Sequence, residues 1–234
     1  MNLFSQRSSK EELIDFPNVP FKDWTACLDE LNTINTWLGG HKITTDGLKK
    51  LPLTAEEPLV IAEIGCGGGD NLRAIHRWNK KRQLPIRYIG IDLNSACIDF
   101  ARKNCASLPH HEFILSDYRK VQFENKAPDI IFSSLFCHHF KNHELVEMLL
   151  WLKQNSVKGF FINDLHRHPV AYHLIKWITA AFSGSYLVKH DAPISVLRGF
   201  RKGEWQELFR QAGLKNYHIE WKWAFRHLIT VKNG

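Results

Sequence analysis

The stretch VIAEIGCGGGDNLRAI, residues 60–75, sets four glycines within five positions between a run of small apolar residues and a segment of helical periodicity. Glycine lets the backbone adopt positive φ and come within contact distance of a ligand, so the stretch reads as strand, ligand-cradling turn and helix. The chain continues in that alternation. Apolar runs at 58–64 (PLVIAEI), 86–91 (IRYIGI), 112–115 (EFIL), 129–135 (DIIFSSL) and 158–163 (KGFFIN) read as parallel strands buried on both faces. Between them lie helices of about 10–15 residues, the length of crossover connections. The fold class is α/β, with a doubly wound sheet.

Beyond the fifth run, HPVAYHLIKWITAAF (168–182) reads as an apolar-rich helix. A basic loop and a second helix at 203–213, closed by Gly213, follow it. Tyr217, Ile219, Trp221 and Trp223 alternate with His218, Glu220 and Lys222, the pattern of a strand with one buried face. HLITV (227–231) supplies a last strand, so the sheet closes on an antiparallel pair. Ahead of the first strand, Trp24, Cys27, Leu28, Leu31, Ile34 and Leu38 form one helical stripe ending at Gly39 and Gly40. The chain divides into an N-terminal helical extension, 1–55, that either buries a sheet edge or covers the ligand crevice, and a main domain, 56–234.

Composition excludes several classes. With 44% apolar and 24% charged residues the chain is an ordinary globular one. No window approaches the roughly 18 uncharged apolar residues of a membrane span, and the N-terminus does not read as the apolar core of a signal peptide, so a cytoplasmic protein is expected. The five cysteines form no CxxC pair and read as reduced, packed thiols rather than a metal centre. A net charge of +7 attracts anions, but the basic residues are scattered.

The glycine turn is selective in what it excludes. A dinucleotide fingerprint needs GxGxxG, and a triphosphate loop needs GK[ST]; here Gly65, Gly67, Gly68 and Gly69 are followed by Asp70, which is positioned to cap the helix. The pattern is ExGxGxG, with Glu63 at the strand end. A carboxylate there repels phosphate and suits a cation, so the turn favours an amino acid joined to an unphosphorylated nucleoside. Asp92 ends the second strand, where an acidic side chain accepts from both ribose hydroxyls. Asp117 ends the third, where an adenine amino group could be read. Each aspartate alone reads as a cap or turn residue, whereas in series they read as ligand contacts.

The set EIGCGGGD, GIDLN, LSDY and DIIFSSLFCHHF resembles the class I methyltransferases that use S-adenosylmethionine, over about residues 56–234. The N-terminal ELID and LDELNTINTWLGG are similar to a bacterial subgroup associated with aromatic and polyketide biosynthesis. The resemblance implies a Rossmann-like, seven-stranded sheet with an antiparallel last strand and S-adenosylmethionine as cofactor. It also implies that Glu63 and the backbone of Gly65, Cys66, Gly67 and Gly69 meet the methionine part, Asp92 and Leu93 the ribose side, and Asp117 with Tyr118 the adenine. Ser133, at the end of the fourth strand, completes that set.

Methyl transfer from a sulfonium is an in-line displacement that needs alignment and exclusion of water. A phenol or enol acceptor must also lose a proton to a base of near-neutral pKa, for which histidine is suited. His138 and His139 lie just past the fourth strand, with His143 one helical turn on; His139 is the preferred base, through its likeness to the HHF of small-molecule methyltransferases. At the end of the fifth strand Asp164 could orient a histidine or touch substrate, and Arg167 could hold an oxyanion; Arg198 joins them as an acceptor contact. His166 and His168 add imidazoles, but no metal is expected. Trp177, Phe182, Tyr186 and Phe200 would line an aromatic roof.

The expected reaction is methylation of a hydroxyl oxygen on an aromatic or polyketide-like small molecule, by a monomer or homodimer, with methyl transfer to carbon as the alternative. A nucleic-acid methyltransferase would show [DNS]PP[YFW] where this chain has SSLF, or a cysteine nucleophile beside proline where Cys137 lies between Phe136 and His138. A non-catalytic S-adenosylmethionine sensor is the reading from another class.

Overall fold

The computed structural model describes residues 3–16, 19–54, 57–123 and 126–233. The expected boundary between residues 55 and 56 lies outside the described residues. The α-helices are α1 (Phe21–Trp37), α2 (Gly40–Lys49), α3 (Asp70–Asn79), α4 (Ser95–Asn104), α5 (Asn142–Asn155), α6 (Pro169–Phe182), α7 (Tyr186–Arg198) and α8 (Lys202–Gln211). The strands are β1 (Leu59–Ile64), β2 (Ile86–Asp92), β3 (His111–Leu115), β4 (Ile130–Ser134), β5 (Gly159–Leu165), β6 (Tyr217–Lys222) and β7 (Arg226–Lys232). They form one seven-stranded sheet of order β3-β2-β1-β4-β5-β7-β6. Only β7 runs against the rest, pairing antiparallel with β5 and β6.

The period of two along each strand sorts side chains into two cores. Val60, Ala62, Ile131, Phe160, Ile162 and Ile229 pack towards α5 and α8, where Trp205 and Met148 complete the cluster. Ile61, Ile130, Phe132, Phe161 and Leu228 face the opposite way with Ile43 and Leu48 of α2 and Leu72 and Ile75 of α3. By the same parity Glu63, Ser134, Asn163 and Arg226, at the crevice ends of four strands, belong to the α2/α3 face. Asp164 belongs to the other.

Two helices depart from expectation. The turn at Gly39, with φ of 74°, leads at once into α2, which packs its buried side on the sheet. The predicted basic loop after α6 is instead α7. Its sequence looks irregular because Gly184 and Gly199 flank it and Pro193 interrupts it. Ser185 nevertheless caps it by accepting from Val188 N, and Leu187, Val188, Val196 and Leu197 bury one stripe. Asp70 does not act as the cap of α3; Gly69 holds that position, while Asp70 accepts from Asn104 Nδ2 at 3.0 Å.

Gly65 carries the largest single steric demand at the crevice. Its φ is 66°, and an added Cβ would lie 2.2 Å from the Phe136 ring. Gly65→Ala is expected to destabilise the fold by about 2 kcal/mol or more, because the left-handed penalty adds to displacement of a packed ring. Denaturant unfolding checks this; a loss within roughly 0.5 kcal/mol of zero would show that Phe136 moves freely.

Candidate active site

The strand order reverses at β1, which lies between β2 and β4, and ligands of open α/β sheets bind at such a switch point. A cavity of about 660 Å³ opens there. Its floor is Gly65–Gly68 with Asp92–Asn94, and its walls come from α1, α6 and α7.

Asp92 ties the turn to β2. One carboxylate oxygen accepts from Gly67 N and the other from Asn94 N, both at 2.9 Å. Burial pushes its pKa up against those bonds. Glu63 is 1% exposed. Its Oε1 accepts from Asn71 Nδ2 at 2.8 Å, while Oε2 has no partner among the described residues. Burial, reinforced by Asp70 and Asp92, raises this carboxyl well above the ordinary range. Asn71 Oδ1 in turn takes bonds from Thr44 and the His41 ring, whose second nitrogen faces Asn32 at 3.0 Å. Burial lowers the His41 pKa, and both of its ring nitrogens face amide oxygens, Asn71 Oδ1 and Asn32 Oδ1, to which a neutral ring donates one proton. This chain fixes Glu63 against the floor.

The cofactor residues expected from sequence separate. Glu63, Gly65, Cys66, Gly67, Asp92 and Leu93 line the cavity. Gly69 lies behind it as the α3 cap, and the pleat turns Ser133 to the other face, with Oγ 3.4 Å from Cys137 Sγ; Ser134 takes the lining position. Asp117 and Tyr118 are not among the lining residues. Asp117 forms a two-pronged pair with Arg119, which holds its carboxyl below the usual range. Tyr118 is buried against Phe136, Phe140 and Trp151.

Both histidines after β4 line the cavity, in different company. His138, 3% exposed, places Nδ1 2.8 Å from Asp164 Oδ1. The other oxygen of Asp164 accepts from Phe136 N and Cys137 N. Burial pushes Asp164 up, yet His138 and a bond from Leu165 N hold it net below the usual carboxylate value. An ionised Asp164 can only accept, so Nδ1 of His138 carries a proton, and the neutral tautomer compatible with that bond has its lone pair on Nε2. His139 is partly exposed and places Nδ1 3.0 Å from Asp15. Glu12 stands 3.7 Å from His138 Nε2, its pKa raised by burial. Among the described residues Glu12, His138 and His139 form one group that brings potential ligand atoms within 4.8 Å of one another. His166 and His168 do not join it. His166 takes a bond from Trp221, and His168 caps α6.

Neither predicted arginine faces the acceptor space. Arg167 is buried outside the cavity, donating to both Glu204 oxygens and to Gly199 O. Arg198 donates to Asp15 and to the carbonyls of His138 and His139, stapling the histidine turn. The cavity-lining arginine is Arg226, which sequence reasoning missed. Its signal was parity with Leu228 at the start of the last strand.

The roof is aliphatic rather than aromatic. Leu174, Ile175 and Ile178 of α6 line the cavity, whereas Trp177 is 74% exposed, Phe182 and Tyr186 also point outwards, and Phe200 is in the core. Trp24, Leu28, Leu31 and Ile34 of α1 supply the facing wall.

The unpartnered Glu63 oxygen and the bare backbone beside it fit the ammonium end of an amino acid, and Asp92 fits a neutral nucleoside. The seven-stranded sheet with its reversed β7 is the Rossmann-like fold of the methyltransferase structures to which the chain is similar. Residues 61–155, from β1 to the end of α5, match the family model of the methyltransferase domain. The chain is 29% identical over 143 residues to the non-reducing polyketide synthase esdpA of Penicillium shearii, covering 60% of this chain and 6% of that protein. It thus spans a small fraction of that curated relative. Among solved structures it is similar to the CMeT domain of the citrinin polyketide synthase, at TM-score 0.56 and 16% identity over 79% of this chain and 48% of that one. The plantazolicin methyltransferase BpumL in complex with SAH aligns at TM-score 0.56 and 18% identity, covering 91% and 86%. The described residues contain no helix long and apolar enough to cross a membrane.

Proposed function

We propose that the protein methylates a hydroxyl oxygen on a flat, apolar aromatic or polyketide-like acceptor, with His138 rather than His139 as the base. The observation that supports this is the buried His138–Asp164 pair at the wall of an apolar cavity. When bound, S-adenosylmethionine supplies an electrophilic methyl group on sulfur. Glu63 and the Gly65–Gly67 backbone would hold its amino-acid end, with Asp92 and Leu93 at the ribose. Asp117 would reach adenine only by releasing Arg119. Asp164 fixes the His138 ring so that Nε2 takes the acceptor's proton, and the aliphatic walls of α1 and α6 exclude water.

A second reading places the methyl on the carbon beside an enol. It is favoured by the two polyketide synthase relatives, one of them described as a CMeT domain. The same base serves both, since each needs an enolate or phenolate. Incubation with S-adenosylmethionine carrying a ¹³C methyl group and a panel of naphthols, phenols and 1,3-diketones decides between them, because methoxy and C-methyl carbons resonate apart. Methoxy product supports the first reading, C-methyl product the second, and no transfer to any member with cofactor bound supports the sensor instead. We also place the protein in the cytoplasm, acting as a monomer or homodimer on small molecules without nucleic acid or membrane.

A further inference from the structure

Arg226 opens β7 and lines the cavity, the residue as a whole 3% exposed. One nitrogen, Nη2, donates to Asn35 Oδ1 at 2.8 Å. Nε and Nη1 are buried with no hydrogen-bond partner among the described residues. Among the described residues the guanidinium has no carboxylate in an ion pair, in contrast to Arg167 with Glu204 and Arg198 with Asp15. A dehydrated, unpaired cation is costly and is retained where a ligand completes it. Burial pushes its pKa down to about 10, which leaves it charged at neutral pH.

The backbone that delivers Arg226 is itself constrained. Ala224 and Phe225, in the turn between β6 and β7, have φ of 59° and 55°, values that favour glycine or asparagine. Both line the cavity. Non-glycine residues held in the left-handed region concentrate at ligand sites, where the surroundings over-determine them.

We infer that Arg226, seated by Asn35, is an anion subsite for the methyl acceptor and selects acceptors bearing a carboxylate beside the apolar ring system. The assignment rests on the methyl-transfer reading above. The acceptor, not the cofactor, is the occupant because Glu63 and Arg226 stand three inter-strand steps apart, on the order of 14 Å between backbones. The charge that acts on Arg226 is Asp164, the partner of His138, whereas those acting on Glu63 are Asp70 and Asp92. An amino acid carries its ammonium and carboxylate on one carbon, so a cofactor anchored at Glu63 keeps its carboxylate on that side.

The test compares 1-naphthoate with 1-naphthamide by calorimetry, on protein saturated with S-adenosylhomocysteine and on free protein. Wild type is expected to bind naphthoate about tenfold or more tightly than naphthamide, and Arg226→Gln to level the two. S-adenosylhomocysteine affinity in the variant stays within about twofold of wild type. The unfolding midpoint of Arg226→Gln or Arg226→Met is unchanged or higher, since an unpaired buried charge is removed; this separates ligand loss from misfolding. No preference in wild type, or a preference that survives Arg226→Gln, overturns the subsite. Weakened S-adenosylhomocysteine with unchanged methylthioadenosine, which lacks the amino-acid end, reassigns the carboxylate to the cofactor and overturns the acceptor assignment. Failure of wild type to bind S-adenosylhomocysteine brings down the methyl-transfer reading, while the comparison on free protein still decides the subsite.

Discussion

His138→Ala is expected to lower turnover by about 10²–10⁴-fold, the span of positioned general bases, while S-adenosylhomocysteine affinity stays nearly unchanged. Asp164→Asn should fall in the same range. An amide there can present a donor to Nδ1, so the ring would carry its proton on Nε2 and lose the lone pair that the proposed base uses. The pair acts as a unit, so the double variant should be little worse than either single one. His139→Ala, with its ring turned to Asp15, is expected to lose less than about threefold. Single-turnover kinetics with a methylated panel member checks the set, and the opposite ranking would return the base to His139.

Glu63→Gln is expected to weaken the cofactor by about 10²–10³-fold, because it removes the buried partner of an ammonium group. The pH dependence carries the sign. Burial raises the Glu63 pKa, so in the ligand-free protein the carboxyl keeps its proton to higher pH than an exposed glutamate. Only the ionised form pairs with the ammonium. Affinity should therefore rise with pH until Glu63 has ionised, by up to about tenfold per unit, and the slope should flatten in the variant. Stability of the ligand-free protein runs the other way. Its folded state holds a proton that the unfolded chain has lost, so stability declines as pH climbs from the unfolded pKa towards the folded one. Calorimetry in buffers of different ionisation enthalpy reads the released proton, and a pH-independent affinity would show that Glu63 is not the partner.

The sheet was legible because its strands are apolar runs buried on both faces, and all seven fall within two residues of the sequence expectation at each end. That Glu63 and Asp92 line the cavity was legible because residues at the ends of parallel strands have little freedom over where they point. Asp117 was not, since an arginine two residues on competes for its carboxylate, and local pairing of that kind leaves no mark in a pattern of strand ends. Arg167 and Arg198 misled for a related reason. Basic residues near a crevice are as readily recruited to hold loops as ligands, and partners 37 and 183 positions away settle which. Ser133 and Ser134 differ only in parity, and the flanking apolar pattern of β4 contained that answer. The helix α7 was hidden by Pro193, and with it went the aliphatic character of one cavity wall.

The reversal of β7 affects how the pocket is furnished. On forward-running strands, crevice residues come in the last rungs of the ladder or beyond them, where the chain begins to wander into a loop. A backward strand enters from that side, so its first rung, Leu165 opposite Arg226 and Lys222 opposite Arg226, already stands at the mouth. The positive charge is thereby clamped between two neighbours in register, and divergence in the surrounding loops can reshape the chamber without disturbing where that charge is anchored.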